Sequence, residues 1–138
     1  EILGKMENGY ENNRFSSFWE YNTDMTYPMI LAKIPVKHPW EIFAYLPFGN
    51  WNECPDTPEL MAVAKYWFEQ YGAVPAVLTH DVLEFDLSTA ISKECAMEVA
   101  LEQYGFCPDI VDQGPEDATV GSLADVLRQS KVWYFWWD

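Results

Sequence analysis

Residues 132–137 read Val132-Trp133-Tyr134-Phe135-Trp136-Trp137, six apolar or aromatic side chains in succession. Too short for a helix of ordinary length and rich in strand-favouring residues, the run predicts a β-strand. Because successive side chains of a strand point to opposite faces, a strand apolar at every position needs cover on both sides. This points to a central place in a sheet with helices packed around it.

Reading back from that strand, residues 121–130 predict a short helix with Leu123, Val126 and Leu127 inward. A helix over Ser92 to Tyr104 places Ala96, Met97, Ala100, Leu101 and Tyr104 on one side, with Gly105 as its stop. Val82 to Leu87 alternates Leu83, Phe85 and Leu87 with Glu84 and Asp86, the pattern of a half-buried strand, and Val74 to Thr79 predicts another. The clearest helix starts at Asp56 or Thr57. Pro58 suits its first turn, Glu59 lies three residues after Asp56, and Leu60, Ala64, Trp67, Phe68 and Tyr71 form one stripe that ends at Gly72. The exit Glu69-Gln70-Tyr71-Gly72 with Pro75 is echoed by Glu102-Gln103-Tyr104-Gly105 with Pro108. Shared capping chemistry explains the echo better than a duplication does.

Further upstream, Met29 to Val36 and Trp40 to Leu46 both predict strands, followed by a turn-rich loop from Pro47 to Pro58. Residues 1–28 are polar but carry Phe15, Phe18, Trp19 and Tyr21, which suggests a segment docked on the body. The expectation is one α/β domain over residues 29–138, with α+β as the variant. It has a mixed sheet, helices packed against it and the aromatic C-terminal strand inside.

Composition narrows the function classes. Eight Lys and Arg against 22 Asp and Glu give a net charge of −14. Such a field repels phosphate backbones and anionic lipid, so neither nucleic acid nor a membrane surface is an expected partner, whereas a basic protein is compatible. No run of about 18 apolar residues is present to span a bilayer. Cys54, Cys95 and Cys107 are an odd number at spacings of no zinc or disulfide pattern, and are read as reduced thiols of a cytoplasmic protein. No phosphate loop, dinucleotide fingerprint, nucleophile elbow or paired C-x-x-C occurs. No cofactor and no metal is expected.

Three blocks within Trp51 to Asp138, about two-thirds of the chain, carry a resemblance. They are Trp51-Asn52-Glu53-Cys54-Pro55, the Thr79 to Glu84 element, and the long stretch from Glu102 to Gly114 together with Trp133 to Asp138. They resemble a bacterial family catalogued as domain of unknown function 4253. The resemblance implies kinship and brings no activity with it.

Two functional readings remain. His80, Asp81 and Glu84 can present an imidazole and carboxylates together, with Cys54 or Asp109 as a further metal ligand, in a small hydrolase or metal-dependent enzyme. The plain alternative makes His80 and Asp81 turn residues and Glu84 a solvent-facing strand position. Cys54 ahead of the first helix is either a thiolate activated by the helix dipole or a small buried hydrophobe. Asp109 and Asp112, in an acidic loop, and Trp51 and Trp136, among the Trp residues, are binding candidates. The favoured reading is a non-catalytic, protein-binding module, of immunity or inhibitor type, engaging a basic partner through an acidic aromatic surface.

Overall fold

The computed structural model describes residues 1–138. In chain order it contains a 3₁₀-helix (Pro39–Ala44), α1 (Thr57–Tyr71), β1 (Val74–Leu78), β2 (Val82–Asp86), α2 (Lys93–Phe106), α3 (Asp109–Asp112), α4 (Val120–Leu127) and β3 (Val132–Trp136). Helices and a three-stranded sheet build one α+β unit. No helix is long and apolar enough to cross a membrane.

Both pairings of the sheet are antiparallel, not mixed, and the order is β1-β2-β3. The aromatic strand therefore belongs to the sheet but lies at its edge, with β2 in the centre. Its two faces are covered by different things. Trp133, Phe135 and Trp137 are buried in the core with Leu83, Phe85 and Leu87. On the other face Glu84 pairs with Tyr134 and Val82 with Trp136, and that side is covered in part by residues of the N-terminal segment.

The core is an aromatic stack centred on Trp67 of α1. Its ring lies parallel to Phe135 at 5.3 Å and edge-on to Phe85, Phe106 and Trp133. The α1 cap is built as the residues require: the Asp56 carboxylate accepts from the Glu59 amide, and Glu59 accepts from the Asp56 amide. Behind α2, Ala96 and Ala100 face α4, where Ala124 is equally buried. Small side chains let the two helices approach closely.

Several expectations fail for physical reasons. Residues 29–36 form no strand, because no sheet neighbour is placed to pair with them; Ile30 and Leu31 are 92% and 100% exposed. Residues 40–44 coil into the 3₁₀-helix instead of a strand. Pro39 starts it, the Glu41 carboxylate accepts from the Lys37 and His38 amides, and Phe43 drops into the core. In α2 the buried face is Ala96, Val99, Ala100, Gln103 and Phe106, and Leu101 is 46% exposed.

The echoed helix exits also differ. Gly72 adopts φ +70° and ends α1, whereas Gly105 stays helical and α2 runs on to Phe106, whose ring is captured by Trp67, Phe135 and Trp137. A Cβ at Gly105 would meet nothing within 4 Å. Gly105→Ala is therefore expected to raise stability by about 0.5–1 kcal/mol. Gly72→Ala should lower it by about 1–2 kcal/mol, since its backbone is left-handed. Paired urea denaturation of the two variants checks this; two shifts of the same sign contradict it.

The N-terminal segment reaches the body through polar bonds. The Val120 and Gly121 amides, orphan donors at the start of α4, donate to the Ile2 and Leu3 carbonyls. The Gly9 amide donates to Asp125 at 2.8 Å, and Val132 donates to the Asn12 carbonyl at 3.0 Å. Burial works against the charged form of Asp125, but the Gly9 amide and the Arg128 guanidinium outweigh it and hold the carboxyl below its usual value.

Candidate functional site

The hairpin turn between β1 and β2 is a Thr79 construction. Its hydroxyl accepts from the Asp81 and Val82 amides, at 3.3 and 2.9 Å, and donates to the Asp81 carboxylate. Asp81 in turn accepts from the Trp136 ring N–H at 3.0 Å and lies 3.3 Å from His80 Nε2. The His80 side chain is 90% exposed and projects from the turn.

Glu84 sits elsewhere. It is 0% exposed rather than solvent-facing, because Ser16 and Ser17 close over that face of the sheet. Its carboxylate accepts from the Ser16 amide and hydroxyl at 3.1 and 3.3 Å and from the Ser17 amide and hydroxyl at 3.3 and 2.6 Å. Burial first, then the Glu84 and Asp81 carboxylates, push the neighbouring Tyr134 phenol above its usual value. His80 and Asp81 are thus brought together, and Glu84 is committed to the N-terminal segment. No three His, Cys, Asp or Glu side chains are grouped to hold a metal ion.

The other sequence candidates scatter around the end of β3. Cys54 is buried, and burial pushes its thiol up to about 12; Cys107, also buried, is raised to about 12 while donating to the Trp136 carbonyl at 3.1 Å. Desolvation outweighs any helix-dipole activation of Cys54. All three cysteines are free thiols. Asp109 accepts from the Asp138 amide and from Gln113, Asp112 accepts from Tyr104, and Trp51 packs edge-on against Phe48.

A cleft of about 700 Å³ opens where the 52–55 loop meets α1 and the C-terminal turn of α2. Asn52, Glu53, Cys54 and Pro55 form one wall, Glu59, Val63, Tyr66 and Trp67 a second, and Glu102, Gly105 and Phe106 the third. At its back the Glu102 carboxylate accepts from the Tyr66 hydroxyl at 2.8 Å and from the Trp67 ring N–H at 3.0 Å. That carboxylate, foremost through its hydrogen bond, raises the Tyr66 phenol and keeps it a donor. Three carboxylates line the cleft; no Lys, Arg or His does. Gly105, lacking a side chain, leaves the third wall open.

A family model described as domain of unknown function (DUF4253) matches residues 30–138. The chain belongs to that family. The DUF4253 region holds every residue of the cleft, and the two blocks Trp51–Pro55 and Glu102–Gly114 meet there. The segment that covers Glu84 lies outside it. No curated protein and no solved structure matches the chain.

Nothing in the sequence marks Tyr66, Glu102 and Glu59 as a site. They come from two helices more than thirty residues apart, so no local spacing links them. Trp67 belongs by its spacing to the core stripe, and its ring lies in the core. What sequence patterning does not show is that the ring N–H also reaches out to Glu102.

Proposed function

We propose that this domain is a non-catalytic binding module that engages a basic protein partner, in the manner of an immunity or inhibitor protein, through the acidic, aromatic-walled cleft. The observation that carries the reading is the cleft's electrostatics. The Glu102 carboxylate is fixed by two neutral donors and, like Glu53 and Glu59, has no ion-pair partner within the chain. A guanidinium or ammonium entering beside the half-exposed Tyr66 ring meets the unneutralised Glu102 charge in a partly dehydrated site, where such contacts are strongest. The net charge of −14 extends this attraction beyond the cleft and favours fast encounter with a cationic surface. Cys54, the one thiol lining the cleft, is held protonated by burial, which supports binding over thiolate chemistry.

Calorimetric titration with a triarginine amide, and with triglutamate as control, tests this. The expected result is binding of the arginine peptide alone, weakening with salt. Glu102→Gln should weaken it about tenfold, the loss of one charge-assisted contact. Gly105→Met, which fills the open wall without meeting other atoms at Cβ, should weaken it as much while leaving the fold intact. Arginine binding indifferent to both substitutions would overturn the assignment of the cleft.

A further inference from the structure

We infer that the groove formed by the outer edge of β3, Glu84 and the first turn of α4 is a docking site for an extended polypeptide, filled here by the chain's own residues 2–17 and able to accept the same segment from a second copy. The groove is built to receive a backbone. Val132 donates to the Asn12 carbonyl while the Asn12 amide side chain donates back to the Val132 carbonyl at 3.3 Å, a ladder-like exchange at an open strand edge. The Asn12 amide donates to Ser130 Oγ and the Lys131 amide to Asn13 Oδ1, both at 2.8 Å. At one end Glu84 gathers the four Ser16 and Ser17 donors, and at the other the α4 amides bind the Ile2 and Leu3 carbonyls. Both sides are shaped for close approach. A Cβ at Gly121 would lie 2.3 Å from the Lys5 carbonyl oxygen, and one at Gly9 would lie 2.5 Å from the Val126 amide nitrogen.

The segment can leave with little disturbance of the core, of which it covers only the part met by Met6. No residue before Phe43 is fully buried, and a cleft of about 420 Å³ opens beside residues 4–10 where they meet α3 and α4. Its attachment is therefore mostly polar, and each bond has an identical counterpart when a second copy supplies the segment. Contacts alone do not distinguish the two arrangements; the tether does. Residues 28–35 form no hydrogen bond with the body. Extended over Pro28 to Val36, they reach about 30 Å, comparable to the width of a domain this size. Met29, Ile30 and Leu31 stand exposed on that tether. In an exchanged pair two tethers run alongside one another and cover these side chains, which nothing in a single chain does.

Full-length chains test this by crosslinking. With Cys95→Ser as background, Asn13→Cys is placed on one population and Lys131→Cys on another. The two are mixed, incubated and mildly oxidised. A chain carrying both cysteines reports the intrachain crosslink that closure within one copy permits, and sedimentation of the wild-type chain is read in parallel. The expected result is a covalent heterodimer from the mixed single-cysteine chains, its fraction rising about tenfold for a tenfold rise in dilute protein concentration. Sedimentation as monomer up to about 1 mM would overturn the inference. So would a dimer whose mixed single-cysteine chains give no covalent product while the double-cysteine chain closes on itself.

Discussion

Replacing Trp67 by Ala is expected to remove about 3–5 kcal/mol of stability, and so to lower the thermal midpoint by about 10–15 °C for a chain of this length. The magnitude follows from position. Trp67 touches both core-facing strands and α2 at once, stacked on Phe135 and edge-on to Phe85, Phe106 and Trp133. Truncation leaves a void that four rigid rings cannot collapse to fill, so transfer and cavity costs add. A typical domain holds about 5–15 kcal/mol in total, so the loss is a large share of it. Trp67→Phe separates packing from polarity: it retains most of the ring contacts and gives up the N–H donated to Glu102, for about 1–2 kcal/mol. Differential scanning calorimetry of both variants decides the matter. A loss below about 1 kcal/mol for Trp67→Ala would mean that the stack does not organise the core.

The same ring shows what a sequence displays and what it withholds. Period and capping made α1 legible, because Asp56, Pro58, Glu59 and Gly72 act within a few residues of themselves. The burial of Trp133, Phe135 and Trp137 was legible for the same reason, since alternation along a strand is a local property. The edge position of β3 was not, because it depends on what pairs with its outer side. The cover there is the polar Asn12 segment, which no apolar pattern announces. Met29 to Val36 reads as a strand by composition and is none, for a strand is a relation between two segments and this one has no neighbour. Residues 40–44 mislead in the opposite way: alternation in Trp40, Ile42 and Ala44 masks the 40/43 spacing by which Trp40 packs near Phe68 and Phe43 enters the core. The Glu102 cleft joins two helices through side-chain tips, a relation fixed only once both helices are packed.

Removing the two hydroxyls that hold Glu84, with Ser16→Ala and Ser17→Ala together, is expected to cost about 2–4 kcal/mol and to loosen the N-terminal segment before the core. The carboxylate is 0% exposed and no Lys, Arg or His lies within ion-pair distance of it, so its charge rests on four donors supplied by Ser16 and Ser17. Withdrawing two leaves a buried anion half satisfied, among the costlier defects a fold can carry. Ser17 should dominate, its hydroxyl lying at 2.6 Å against 3.3 Å for Ser16. Relief comes most cheaply by lifting the segment and admitting water, because no residue before Phe43 is itself fully buried and, of residues 1–17, only the partly buried Met6 packs against the core. Hydrogen exchange should then quicken at the Gly9 and Val132 amides, bonded to Asp125 and Asn12, while the amides of α1 keep their protection until global unfolding. A double-mutant cycle of Ser17→Ala with Glu84→Ala should return a coupling of about 2 kcal/mol. Unchanged exchange at Gly9 and Val132 in the doubly substituted chain would show that Glu84 does not hold the segment down.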